Sequence, residues 1–194
     1  MIFVLSSPSI NSSKMAPRVH LVRHAQGYHN ISPEGHSLLD PQLTDDGKEQ
    51  CRRLQQDFPF FGSISLILAS PIKRAIYTAL IGFDEQIRRR GLKVVAMPDL
   101  QPTSDRLCDT GVSRHEVARE FEGMPVDLSW VTPGWECKRG RWRTEEEATV
   151  KRAREVVEWI AGREEEEIVI VSHREFSFWV YTCAVTKLRS NADF

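Results

Sequence analysis

Val19-His20-Leu21-Val22-Arg23-His24-Ala25-Gln26 is the stretch whose reading decides the fold. Its first four residues form a short apolar, β-branched run, the pattern of a buried strand. That strand stops at Arg23-His24. Residues 25–43 then carry Gly27, Pro33, Gly35 and Pro41, the composition of a long loop. Two further stretches repeat the arrangement. Ser63 to Ala69 reads as a strand and runs into Ser70-Pro71, with Lys73 and Arg74 just beyond. Ile168-Val169-Ile170-Val171 is a continuous apolar strand and runs into Ser172-His173. Lys93 to Met97 is another strand.

Helical stretches separate these strands. They run from Thr44 to Phe58, from Pro71 to about Arg89, from Ser113 to Phe121, from Thr144 to Ile160 and from Glu175 to Val185. Thr44 is a good N-cap ahead of Asp45-Asp46, which suit the positive end of a helix dipole. Ser70 is expected to cap the second helix, with Pro71 at its first position. Residues 98–112 and 122–143, rich in Pro, Gly and Asp, read as loops. Strands without a polar face that alternate with helices argue for a mostly parallel central sheet covered on both sides. The expected fold is an α/β, three-layer αβα sandwich.

The chain has 194 residues, room for one domain that needs no metal or disulfide staple. Residues 1–15 read as a disordered extension outside that domain, with Met15 as an alternative start, and residues 16–194 as the domain itself. Lys plus Arg is 26 and Asp plus Glu is 27, a net charge of −1. No global basic field is present to hold nucleic acid or an anionic membrane, so any anion site is local. No apolar run approaches the roughly 20 residues that span a bilayer. The four cysteines, Cys51, Cys108, Cys137 and Cys183, show no zinc-ligand spacing. They read as free thiols of a reducing compartment, the cytoplasm.

In a parallel sheet, function collects beyond the carboxyl ends of the strands. If the three marked strands are neighbours, Arg23, His24, Arg74 and His173 converge on one pocket. Guanidinium forks match phosphate oxygens, so such a pocket suits a phosphate dianion.

The ordered set of motifs resembles the histidine phosphatase superfamily, with its phosphoglycerate mutase-like fold. Arg23-His24-Ala25 with Asn30 is similar to the family's Arg-His-Gly/Ala motif. Leu43-Thr44-x-x-Gly47, Ala69-Ser70-Pro71-x-x-Arg74-Ala75 and Val171-Ser172-His173 continue the match over residues 18–185. Leu100-Gln101 and Cys108-Asp109-Thr110-Gly111 look like a fungal and plant branch. The resemblance implies a cofactor-independent phosphomonoesterase, with no metal, acting on a small anionic, phosphorylated substrate. His24 would form a phosphohistidine. Arg23, Arg74 and His173 would hold the phosphate oxygens, with Asn30 adding a hydrogen bond.

Two positions depart from the family pattern. The family places a glutamate, the proton donor to the leaving group, where this chain has Pro102. Asp105 is the expected substitute, with Asp109 and Glu175 as others. The family also has glycine after the second histidine, where this chain has Arg174-Glu175; both are candidate pocket residues. The closing Asn191-Ala192-Asp193-Phe194 faintly resembles a segment that the branch carries further on, which reads as a clipped C-terminal end. These departures keep a second reading open: a weakened or repurposed member that binds an anionic metabolite or runs acid–base chemistry on a non-phosphorylated substrate. A third and weaker reading takes Lys138-Arg139-Gly140-Arg141-Trp142-Arg143 as a single-strand-binding loop.

Overall fold

The computed structural model describes residues 2–5, 17–60 and 62–190. Six strands build one sheet: β1 (Ile2–Leu5), β2 (Arg18–Arg23), β3 (Leu66–Ala69), β4 (Val94–Ala96), β5 (Val126–Asp127) and β6 (Glu167–Ser172). Their order across the sheet is β1-β2-β6-β3-β4-β5. All neighbours are parallel except β1, which pairs antiparallel with the outer edge of β2. The helices are α1 (Asp45–Asp57), α2 (Lys73–Gly82), α3 (Asp84–Arg90), α4 (Arg114–Glu120), α5 (Glu146–Ala161) and α6 (Arg174–Ser190).

The alternation of side chains along each strand divides the core in two. Val22, Ile67, Ala69, Val169 and Val171 face Ile72, Ala75, Ile76 and Ala79 around α2. Leu21, Leu68, Ile168 and Ile170 face Ala153, Val156 and Ile160 of α5 and Phe176 and Val180 of α6. The expected three-layer sandwich is therefore the observed one, and the apolar strands are apolar because both faces are covered.

Several local expectations are corrected. Ile2–Leu5, set outside the fold in the sequence reading, is an edge strand. Its β-prone residues find unpaired backbone groups on the open side of β2. Residues 6–16 lie outside the described residues, as do Asn191–Phe194. The single helix expected from Pro71 to Arg89 is two, broken at Phe83 (φ −125°, ψ 20°), whose ring is fully buried. Gly82, a weak helix former, precedes the break and lets the Leu54 side chain of α1 come close. Ile72, not Ser70, stands at the N-cap of α2. The Ser70 hydroxyl accepts from the Ile72 N–H at 3.4 Å and lies 3.1 Å from His173 Nε2. Residues 126–127, assigned to a loop, add the short edge strand β5.

The Thr-x-x-Gly motif has a packing reason. The Thr44 hydroxyl accepts from the Gly47 N–H at 2.9 Å and donates to Gln26 Oε1 at 2.8 Å. A β-carbon on Gly47 would stand 2.0 Å from the Gln26 carbonyl oxygen. Helix α1 thus clamps the backbone directly beyond His24, and only glycine leaves room for that approach.

Candidate active site

Register brings the site together. Arg23 pairs with Ser172 across β2 and β6, so His24 and His173 are each the first residue past the ladder. The His24 N–H extends that ladder by donating to the Ser172 carbonyl at 2.9 Å. Ala69 pairs with Val171, which brings Ser70 alongside. The three marked strands are neighbours, in the order β2-β6-β3.

Arg74 is the hub. It reaches from the first turn of α2, is 1% exposed, and touches four groups. Its Nε–H donates to His24 Nε2 at 3.3 Å. Nη2 donates to Asp109 Oδ1 at 2.8 Å and lies 3.3 Å from His173 Nδ1. Nη1 donates to the Cys108 carbonyl at 2.5 Å. The two imidazole rings stand 5.1 Å apart, centroid to centroid, on either side of this guanidinium.

The partners assign both tautomers. The Ala25 carbonyl can only accept, so His24 Nδ1 carries the proton, donating at 2.8 Å. His24 Nε2 therefore presents a lone pair. Arg74 can only donate, so His173 Nδ1 accepts, and its Nε2–H donates to Ser70 Oγ at 3.1 Å. Burial, and then the Arg74 charge, hold both imidazoles well below the ordinary histidine range. Both are neutral at pH 7, and a neutral imidazole is a competent nucleophile.

A third imidazole shares the pocket. His29 is buried, its ring centroid 5.4 Å from that of His24, and its Nδ1 has no partner. Burial and the Arg74 charge bring it down to about 4. The only sequence sign of its place was its proximity to His24 within one loop. Asn30 is exposed beside it, with its Oδ1 accepting from the Gly27 N–H at 3.1 Å. Arg23, exposed at the end of β2, lines a cleft of about 690 Å³ together with His24 and Asn30. A larger depression of about 950 Å³ runs along α5, but no histidine, cysteine or serine lines it.

The carboxylates are placed differently from one another. Asp105 is exposed and makes no hydrogen bond among the described residues. Arg174 and Glu175 open α6 and are exposed; Glu175 Oε2 accepts from Thr103 Oγ1 at 2.6 Å. None of the three joins the buried cluster. Asp109 does join it, with both oxygens engaged: Oδ1 by Arg74, Oδ2 by Ser104 Oγ at 2.6 Å. Gly111 leaves space for the buried Trp135, whose ring a β-carbon there would meet at 2.2 Å.

Sequence reasoning missed Asp40. It sits at φ 43°, in the left-handed region, and its Oδ1 accepts from the Lys73 N–H at 3.0 Å, pinning the start of α2. Its other oxygen is buried without a partner, and burial raises its carboxyl to about 6. The raised value means that the folded state keeps a proton that the unfolded state has released. Stability from this group therefore falls as pH climbs from about 4 to 6, by on the order of 3 kcal/mol. Asp40→Asn, which tolerates the same backbone region, is expected to gain stability relative to the wild type on moving from pH 4 to pH 8. Denaturant melts at the two pH values check this, and a pH-independent difference refutes it.

Comparison with known proteins agrees with this geometry. The profile of the histidine phosphatase superfamily (branch 1) matches residues 19–192. A Schizosaccharomyces pombe protein named Probable phosphatase SPAC513.02 is 30% identical over 157 residues, covering 80% of this chain and 73% of that protein. A phosphoglycerate mutase-like protein of Arabidopsis thaliana is 28% identical over 192 residues, covering 81% and 71%. Among solved structures, the ecdysone phosphate phosphatase from Bombix mori superposes with a TM-score of 0.64 at 16% identity, over 85% of this chain and 76% of that one. Sequence motifs, sheet order and paired imidazoles lead to one assignment: the chain belongs to the histidine phosphatase superfamily, branch 1.

Proposed function

We propose that the protein is a phosphomonoesterase of small phosphate esters that works through a phosphohistidine on His24. The observation that carries this reading is the pair of neutral, buried imidazoles flanking Arg74 at the ends of adjacent parallel strands. His24 Nε2 attacks phosphorus, the bond from phosphorus to the ester oxygen breaks, and that oxygen leaves with a proton. Water then attacks phosphorus, the P–N bond breaks, and neutral His24 returns. Arg74 is already bonded to the attacking nitrogen, so a phosphate oxygen takes over its Nε–H as the ester enters. Fixed donors of this kind stabilise developing charge without reorganisation. Arg23, at the mouth, adds a second cation for the dianion. Asn30 keeps its amide N–H groups for a phosphate oxygen, since only its oxygen is used by Gly27.

Asp105, exposed and unbonded, remains available to a leaving group only from the solvent side. The cysteines Cys51, Cys108, Cys137 and Cys183 are unpaired thiols, which suits the cytoplasm. The test is direct. Purified protein is expected to release phosphate from para-nitrophenyl phosphate and to trap acid-labile, base-stable phosphate on brief exposure to a labelled ester. Absence of both turnover and trapped phosphate across aryl and alkyl esters rejects the reading.

A further inference from the structure

The resemblance expects a glutamate proton donor where this chain has Pro102, and the loop at Pro102 is anchored beside the second imidazole. Ser172 Oγ donates to the Leu100 carbonyl at 2.8 Å, which ties residues 100–102 to the strand end that carries His173. Lys138 folds inward onto this segment. Its ammonium donates to Gln101 Oε1 at 2.8 Å and lies 3.4 Å from the Pro102 carbonyl. Gln101, 1% exposed, is itself held by the Trp135 carbonyl at 3.1 Å. Both partners of Lys138 are neutral oxygens, and no carboxylate among the described residues pairs with its charge directly.

We infer that Lys138 is the proton donor to the leaving oxygen, standing in for the glutamate that Pro102 replaces; the inference rests on the phosphatase reading.

The alternatives on the same side are weaker. Asp109 has both oxygens bonded, one to Arg74 and one to Ser104. Asp105 is exposed, and Glu175 is exposed and bonded to Thr103. Lys138 is different: burial, followed by the charge of Arg152 on α5, brings it down to about 8. The charges that face it are Arg152 and Arg74, which push it down, and Asp109 and Asp105, which push it up. Its own charge in turn acts on His173. Arg152, buried and stacked on Phe176, leans on the same Pro102 carbonyl from the other side at 3.4 Å. Its charge adds to burial in lowering Lys138. An amine poised near the working pH gives up a proton readily and takes it back.

The step balances. As His24 Nε2 bonds to phosphorus and the P–O bond breaks, a proton passes from the Lys138 ammonium to the departing oxygen, which leaves as an alcohol. The neutral amine then accepts a proton from the water that attacks the phosphohistidine, and the ammonium is restored.

The experiment compares kcat/KM, which reports the first phosphoryl transfer, for an alkyl ester (glycerol phosphate) and for 2,4-dinitrophenyl phosphate, whose leaving group needs no proton. Lys138→Met is expected to lose about 10²–10³-fold on the alkyl ester and less than about tenfold on the dinitrophenyl ester. Lys138→Arg keeps the charge, yet a guanidinium does not give up its proton; it is expected to track Lys138→Met. In the wild type the alkyl-ester rate falls as pH rises through about 8, since the acid must be protonated, and the dinitrophenyl rate does not. This last comparison holds even where a variant fails to fold. Equal losses on both esters, rescue by arginine, or the same basic limb for both esters overturns the role of Lys138 and leaves the phosphatase reading intact. No turnover of either ester by the wild type overturns both.

Discussion

His24→Ala is expected to abolish phosphohistidine formation and to lower kcat/KM on any phosphate ester by at least about 10⁴-fold. The size follows from the proposed role: removing a nucleophile removes the covalent route itself, and what survives is binding and charge stabilisation. His173 is no understudy, with its Nε2–H on Ser70 and its Nδ1 on Arg74. The fold is expected to survive, because the His24 side chain supports little else: its two bonds go to its own neighbour's carbonyl and to Arg74. Circular dichroism and a thermal melt separate loss of chemistry from loss of structure. A folded His24→Ala protein that still traps labelled phosphate sinks the assignment of the nucleophile.

Arg74→Ala is expected to damage both activity and stability. On the activity side, a preorganised cation at the phosphate is worth about 10²–10³-fold. On the stability side, the guanidinium is 1% exposed and satisfies the Asp109 carboxylate and the Cys108 carbonyl together. Breaking a buried pair by removing one partner typically costs about 3–5 kcal/mol. The low end is expected here, since the Asp109 side chain keeps 22% exposure and Ser104 still donates to it. Arg74→Lys restores a charge but not four directed contacts, so it recovers little of either loss. Urea denaturation alongside kcat/KM measures both effects. Unchanged stability in Arg74→Ala would show that the guanidinium is a surface group and not the centre of the cluster.

Much of this was legible in the sequence. Strand ends at Arg23-His24, Ser70-Pro71 and Ser172-His173 could be aligned without coordinates, because parallel β-α units send every strand's carboxyl end to the same side. What resisted reading depends on loops. Lys138 meets Pro102 from a Gly- and Pro-rich stretch that carries no periodicity, and its basic neighbours invited a nucleic-acid reading. Folded, Lys138 points inward and Arg141 is paired with Asp99 and Glu155. Asp40 was invisible because its importance is a backbone angle and an unpartnered oxygen. Ser70 looked like a helix cap by composition, but its hydroxyl orients His173. β5 is two residues long, too short for alternation to register.

The ladder between β2 and β6 has one more consequence. Because His24 and His173 are numbered off from the same rung, their spacing is inherited from the sheet and not from the loops around them. A slip of one residue in β2 would exchange its inward and outward side chains and carry His24 to the opposite side of the layer. Val22 and Leu21, buried on opposite faces, forbid that slip. The apolar interior thus acts as the ruler of the chemistry: substitutions on the two central strands that loosen packing should blur the distance between the imidazoles before they unfold the chain.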